Sequence, residues 1–141
     1  MSALTNLHQP NMRENLRKLL HEAWTKLEEQ PLESTVPARR AEHLARSMGE
    51  NRGWAQSLFI WGVARLHAGE AQEAILLLSR ALAVYRYLSD DEGQWSCLKA
   101  IALAWDHAGD AAQAQKTHSA ANSFRRQADY SSRARWLRWF A

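Results

Sequence analysis

Val63-Ala64-Arg65-Leu66-His67-Ala68-Gly69-Glu70-Ala71-Gln72-Glu73-Ala74 returns, 40 residues later, as Leu103-Ala104-Trp105-Asp106-His107-Ala108-Gly109-Asp110-Ala111-Ala112-Gln113-Ala114. The same offset pairs Ala81 with Ala121 and Arg86 with Arg126, and further back Ala41 with Ala81 and Gly53 with Gly93. A fixed offset held over this length means one supersecondary unit copied and stacked. No such unit can bury its apolar face alone, so each neighbour must cover the next.

The unit reads as a pair of helices. Gly69 and Gly109 suit the left-handed position that ends a helix, and Glu70 and Asp110 place an acid at the start of the next one. The spacing predicts helices over 54–67, 71–88, 94–107 and 111–128. Ala74, Leu77, Leu78, Ala81, Leu82, Val84, Tyr85 and Leu88 recur at three- and four-residue steps, which gives the second of these one wide buried face. Nothing alternates with period two, so no strand is expected.

Upstream lies a degenerate pair over 11–48. Leu16, Leu19, Leu20, Ala23, Trp24 and Leu27 form an apolar stripe on a helix of 11–29. Pro31 stops it, and Pro37 starts a helix of 37–48 at the one position where its missing N–H costs nothing. A departing terminal unit is what a stacked array uses as its cap. Residues 1–10 are expected to fray. Asp-Tyr-Ser-Ser at 129–132 breaks the last long helix, and 129–141 is expected to form a short basic-aromatic capping helix begun by Ser131 or Ser132.

The 141 residues fit a single domain, 46% hydrophobic and 23% charged. No run approaches the roughly 18 apolar residues of a membrane span, and the N-terminus lacks the pattern of a signal peptide. The lone Cys97 cannot form an internal disulfide and suits a reducing compartment, so a cytoplasmic location is expected. The net charge of +3 is unevenly spread. Arg125, Arg126, Arg133, Arg135 and Arg138 face only Asp129 after residue 124, while the rest of the chain is close to neutral. Only that end is a candidate for acidic partners.

Small and large apolar residues at set positions carry a resemblance. Leu58, Trp61, Gly62, Arg65, Ala74, Leu78 and Arg86 in one pair match Leu98, Ile101, Ala102, Trp105, Ala114, His118 and Arg126 in the next. This pattern resembles tetratricopeptide repeats (TPRs), in a 40-residue variant similar to the N-terminal regulatory repeats of bacterial signalling proteins, such as those preceding diguanylate cyclase domains. The resemblance implies an all-α, right-handed superhelix of about three antiparallel helix pairs plus a short C-terminal helix. It also implies Gly62 and Ala102 at close helix crossings, and a non-enzymatic role in binding proteins or peptides.

Nothing in the sequence assembles a catalytic constellation: no nucleophile motif, phosphate loop or paired-cysteine site occurs. His67 and His107 share one repeat position and read as duplicated cations near helix ends rather than metal ligands. Asp90-Asp91-Glu92 reads as a solvated turn with capping acids. No cofactor and no metal are expected.

By analogy with TPR arrays, the first helices of successive pairs line a concave groove. It would comprise Gln56, Phe59, Val63, Leu66 and His67 from one pair and Ser96, Lys99, Leu103, Asp106 and His107 from the next, with Leu16, Leu19 and Ala23 extending it. The tail carries Arg133, Trp136, Leu137, Trp139 and Phe140. Its aromatic residues are expected to pack on the last pair near Phe124 and Ala121, or to form a homodimer seam. The leading function is a protein- or peptide-binding module, as the regulatory domain of a larger signalling protein with a fused output domain. The alternative is a nucleic-acid-binding protein that uses the basic-aromatic tail.

Overall fold

The computed structural model describes residues 2–125, 130 and 134–140, the side chains of 2–10, 125 and 139 being left aside. Six α-helices follow in chain order: α1 (Ser2–Glu29), α2 (Thr35–Met48), α3 (Asn51–His67), α4 (Ala71–Tyr87), α5 (Asp91–His107) and α6 (Ala111–Arg125). One turn of 3-10 helix, Pro31–Ser34, joins α1 to α2, and a second 3-10 segment runs Arg135–Phe140. Helix α1 is helical from Ser2, through the residues where fraying is expected. Among the described residues there is no strand. Each helix packs on its sequence neighbours, and the first helices of the pairs also touch, α1 on α3 and α3 on α5. The result is an all-helical solenoid of three antiparallel pairs.

One turn geometry is used four times. At Gly49, Gly69, Ser89 and Gly109 the backbone enters the left-handed region, with φ of 68°, 84°, 55° and 82°. After each, the next amide reaches back five residues: Glu50 to Ala45, Glu70 to Arg65, Asp90 to Tyr85 and Asp110 to Trp105, at 2.9–3.0 Å. This is the Schellman closure, which satisfies carbonyls orphaned at a helix end. The turn after α4 follows the same path without glycine, on Ser89.

Helices α3 and α5 start earlier than the periodicity predicts. Glu50 accepts the Gly53 amide at 2.6 Å, and Asp90 accepts the Gly93 amide at 2.8 Å. These side-chain caps pull the three residues before Trp54 and Gln94 into the helix. Gly53 and Gly93 therefore lie inside helices. At Gly93 a Cβ would stand 2.2 Å from Tyr85 Cδ1, so the glycine is needed for the Tyr85 ring to lie against the backbone. Gly62 does the same between α3 and α4, where a Cβ would meet Leu78 Cγ at 2.7 Å. Ala102, its repeat equivalent, is fully buried.

A single buried cluster runs from Ala23 and Leu27 in α1 through α3, α4 and α5 to Ala121, Tyr130 and Trp136. A smaller one joins Leu16 to Ala41 and Ala45 between α1 and α2. Cys97 is fully buried, and burial pushes its thiol well above the ordinary range, which keeps it protonated and inert.

Candidate functional site

The first helices α1, α3 and α5 line the inner face of the solenoid, and the Arg135–Phe140 segment lies across it. Trp136 is only 4% exposed. Its ring meets Phe59 edge-on at 5.2 Å, and Phe59 in turn stands 5.8 Å from Trp24 of α1. Phe140 sits edge-on to both His67 and His107, at 6.2 Å from each. The two histidines that share a repeat position thus flank one aromatic ring, and among the described residues no group of three or more metal-ligating side chains exists. His107 is oriented from behind, its Nδ1 3.0 Å from the Leu103 carbonyl.

The polar partners of the segment come from α1. Arg135 lies 3.7 Å from the Glu28 carboxylate, and Arg138 donates to the Glu28 backbone carbonyl. Between the segment and the helices remains a cavity of about 320 Å³, bordered by Trp24, Gln56, Phe59 and Ser96 and by the acids Glu28, Asp90 and Glu92. Arg52 bonds Asp90 at 2.8 Å across its edge. Tyr130, nine-tenths buried, closes the far side against Trp95 at 5.9 Å. Burial and the nearby Asp90 hold the Tyr85 phenol far above its usual range, so it stays neutral beside this acidic rim.

Placed on this geometry, the residues expected in the groove divide into three groups. Phe59, Val63 and Leu66 are at most 2% exposed and form core beneath the inner surface, with Trp24 and Trp136 against the Phe59 ring. Gln56, Ser96, His67 and His107 remain at the surface under or beside the segment, and Leu103 is half-buried against the core. Lys99 and Asp106 turn away: Lys99 Nζ is 3.4 Å from His118 Nδ1, and Asp106 is 3.5 Å from His118 Nε2. Helical geometry explains the split. Residues 96, 103 and 107 share one stripe of α5, whereas 99 and 106 lie on the adjacent stripe that faces α6.

On α1, the stripe expected to extend the groove is core. Leu16 and Ala23 are buried and Leu19 packs toward α2. Trp24 and Glu28, one turn apart, face the segment instead. Their register is hidden in sequence because the α1–α2 connection lacks the tight Gly-acid turn that aligns the other pairs.

The tail also departs from expectation. It forms a 3-10 segment rather than an α-helix, and its contacts reach beyond the last pair: Trp136 meets Phe59 and Phe140 meets both His67 and His107, while Ala121 and Phe124 belong to the same apolar cluster as Trp136. Its aromatic surface is best covered where Phe59 already offers a deep apolar floor. Leu137 is half-buried against the core. Arg133 and the Trp139 side chain lie outside the described residues.

A second cleft opens on the outer face, between α2 and α4 over α3. It encloses about 950 Å³ and is lined by aromatic and basic side chains. No described helix is long and apolar enough to cross a membrane.

No protein-family model and no curated protein sequence matches the chain. Among solved structures, the crystal structure of the TPR domain of Arabidopsis FLU is similar, with a TM-score of 0.74 and 25% sequence identity. The match covers 79% of this chain and 95% of that one. Six helices in pairs, four identical turns and this likeness together establish a TPR-like helical-repeat fold.

Proposed function

We propose that the protein is a non-enzymatic interaction module whose inner face receives a short basic-aromatic segment of a protein partner, and that residues 135–140 hold that place in the unbound chain. The observation that carries the reading is the seating of Trp136 on Phe59 and of Phe140 between His67 and His107, with both described arginines of the segment tied to Glu28. Two aromatic anchors at a fixed spacing, plus a cation against a carboxylate, form the grammar by which helical grooves read extended segments. The acids around the cavity select a positively charged visitor. The 40-residue repeat and its likeness to regulatory repeats support placement as a regulatory domain of a bacterial signalling protein of diguanylate cyclase or kinase type, joined to an output domain. A single cysteine, the buried Cys97, suits a cytoplasmic setting.

The alternative, nucleic-acid binding through the tail, requires the same aromatic rings and arginines to be free, and docking engages them. A homodimer through the tail would place the same segment on the inner face of a second copy.

The test is a chain shortened before residue 131, mixed with a synthetic peptide of residues 131–141. The peptide should bind the shortened chain at micromolar strength and leave the full chain untouched. A peptide that binds neither, or both alike, would overturn the proposal. Duplex DNA retained by the full chain, with salt-steep affinity, would favour the alternative.

A further inference from the structure

The outer cleft has a feature that the rest of the array lacks. Each of the three helices around it contributes a pair of residues seven positions apart: Arg39 and Arg46 from α2, Trp54 and Trp61 from α3, Arg80 and Tyr87 from α4. Seven residues are two helical turns, about 10 Å along the axis. The cleft is therefore a channel at least two turns long, with an aromatic floor and basic walls.

Its charge is largely uncompensated. Arg46 is paired with Glu42 at 3.2 Å. Arg39 stacks over the Trp61 ring at 5.5 Å, and neither Arg39 nor Arg80 has a carboxylate within ion-pair distance among the described residues. Tyr87 is 78% exposed, and Leu76, one turn before Arg80 on the same stripe of α4, is 65% exposed. Trp54 keeps its indole N–H buried without an acceptor.

Forty residues on, five of these six positions have lost this character, and Arg46 alone keeps its charge, as Arg86. Arg39, Trp54, Trp61, Arg80 and Tyr87 correspond to Ser79, Gln94, Ile101, Ala120 and Gln127. Around α5 the same repeat thus stacks with Ser79, Gln94, Ile101 and Ala120, so stacking does not require the two tryptophans or the arginines at 39 and 80.

We propose that the outer cleft between α2 and α4 binds an acidic amphipathic helix of a partner protein, its apolar residues at i, i+3 or i+4 and i+7 lying on Trp54 and Trp61 and its carboxylates meeting Arg39 and Arg80. The two-turn length matches the anchor spacing of a helix laid in a groove. The unpaired guanidinium groups supply charge complementarity. This site is independent of the inner face and of residues 135–140.

The experiment is selection of a displayed library of short helical peptides against the full chain. Counter-selection uses the full chain carrying Arg39→Glu and Arg80→Glu, both on exposed residues. Enriched peptides should be acid-rich with the i, i+3 or i+4, i+7 apolar pattern. Synthesised singly, they should bind the charge-reversed chain at least about tenfold more weakly. A second chain carrying the equivalent residues of the following repeat (Trp54→Gln, Trp61→Ile and Arg80→Ala) should keep its circular dichroism and lose the peptides. Enrichment of neutral or basic peptides, binding to either altered chain as strong as to the unaltered one, or no enrichment would overturn the proposal. So would duplex DNA or phosphatidylserine vesicles that bind through Arg39 and Arg80 while the acidic peptides do not.

Discussion

Helix α3 is apolar on two opposite sides, and the sides are finished differently. Inward, Phe59, Val63 and Leu66 are buried, and Trp24 together with Trp136, from a 3-10 segment at the far end of the chain, covers Phe59. Outward, Trp54 and Trp61 are flanked by α2 and α4 but stay half-buried at the bottom of an open channel. A helix that is apolar all round must be buried all round. In this array a local segment meets that demand on one side, while arginine stems and a stacked guanidinium meet it partly on the other. The inner side is thus core closed by a segment from the far end of the chain, and the outer side is an open channel walled by charged side chains.

This contrast can be broken at graded points. Phe59→Ala should have the largest effect, about 3–5 kcal/mol of lost stability, read by urea unfolding. Intact stability with lost peptide binding would return Phe59 to the groove surface. Removal of residues 131–141 should cost about 3 kcal/mol, since Trp136 alone removes a large apolar area from water. The same deletion should leave helical circular dichroism nearly unchanged at low temperature. Gly62→Leu, at the crossing of α3 on α4, should cost about 1–3 kcal/mol by overpacking against Leu78. Arg80→Ala, on the open outer wall, should change stability by no more than about 0.5 kcal/mol. A larger loss there would mean that the outer channel is structural and not held open for a partner.

The array itself was legible in the sequence, because glycine at 69 and 109 and alanine at 74 and 114 are the direct price of close-packed, tightly turned helices. Periodicity placed five of the six helices to within three residues at the ends described. The missed starts of α3 and α5 follow from Glu50 and Asp90: the acids at 90–92 read as caps, but for a helix that begins only after Gly93, whereas Glu50 and Asp90 accept the amides of Gly53 and Gly93 from within the first turn. The destination of the tail was not legible. A single 3-10 turn carries no periodic signal, and its place is decided by Phe59 and Glu28, more than seventy residues away in sequence. The outer channel did leave a trace, in the exchange of Trp54, Trp61 and Arg80 for Gln94, Ile101 and Ala120. Trp54 and Trp61 also fit the ordinary filling of interhelix space, so the exchange carries no functional sign in sequence alone.

Because Arg135–Phe140 is joined covalently to the helices it covers, it competes for the inner face at an effective concentration on the order of millimolar. Suppose that concentration is about a hundred times the segment's own dissociation constant. Any rival for the face is then weakened about a hundredfold, or about 2.7 kcal/mol. A rival that also grips Glu28 and both histidines recovers part of this handicap, and one that matches only the aromatic anchors does not. If the inner face serves the partner proposed above, the docked segment sets an affinity threshold for entry, and single substitutions at Trp136 or Arg135 are expected to lower it stepwise without altering the face itself.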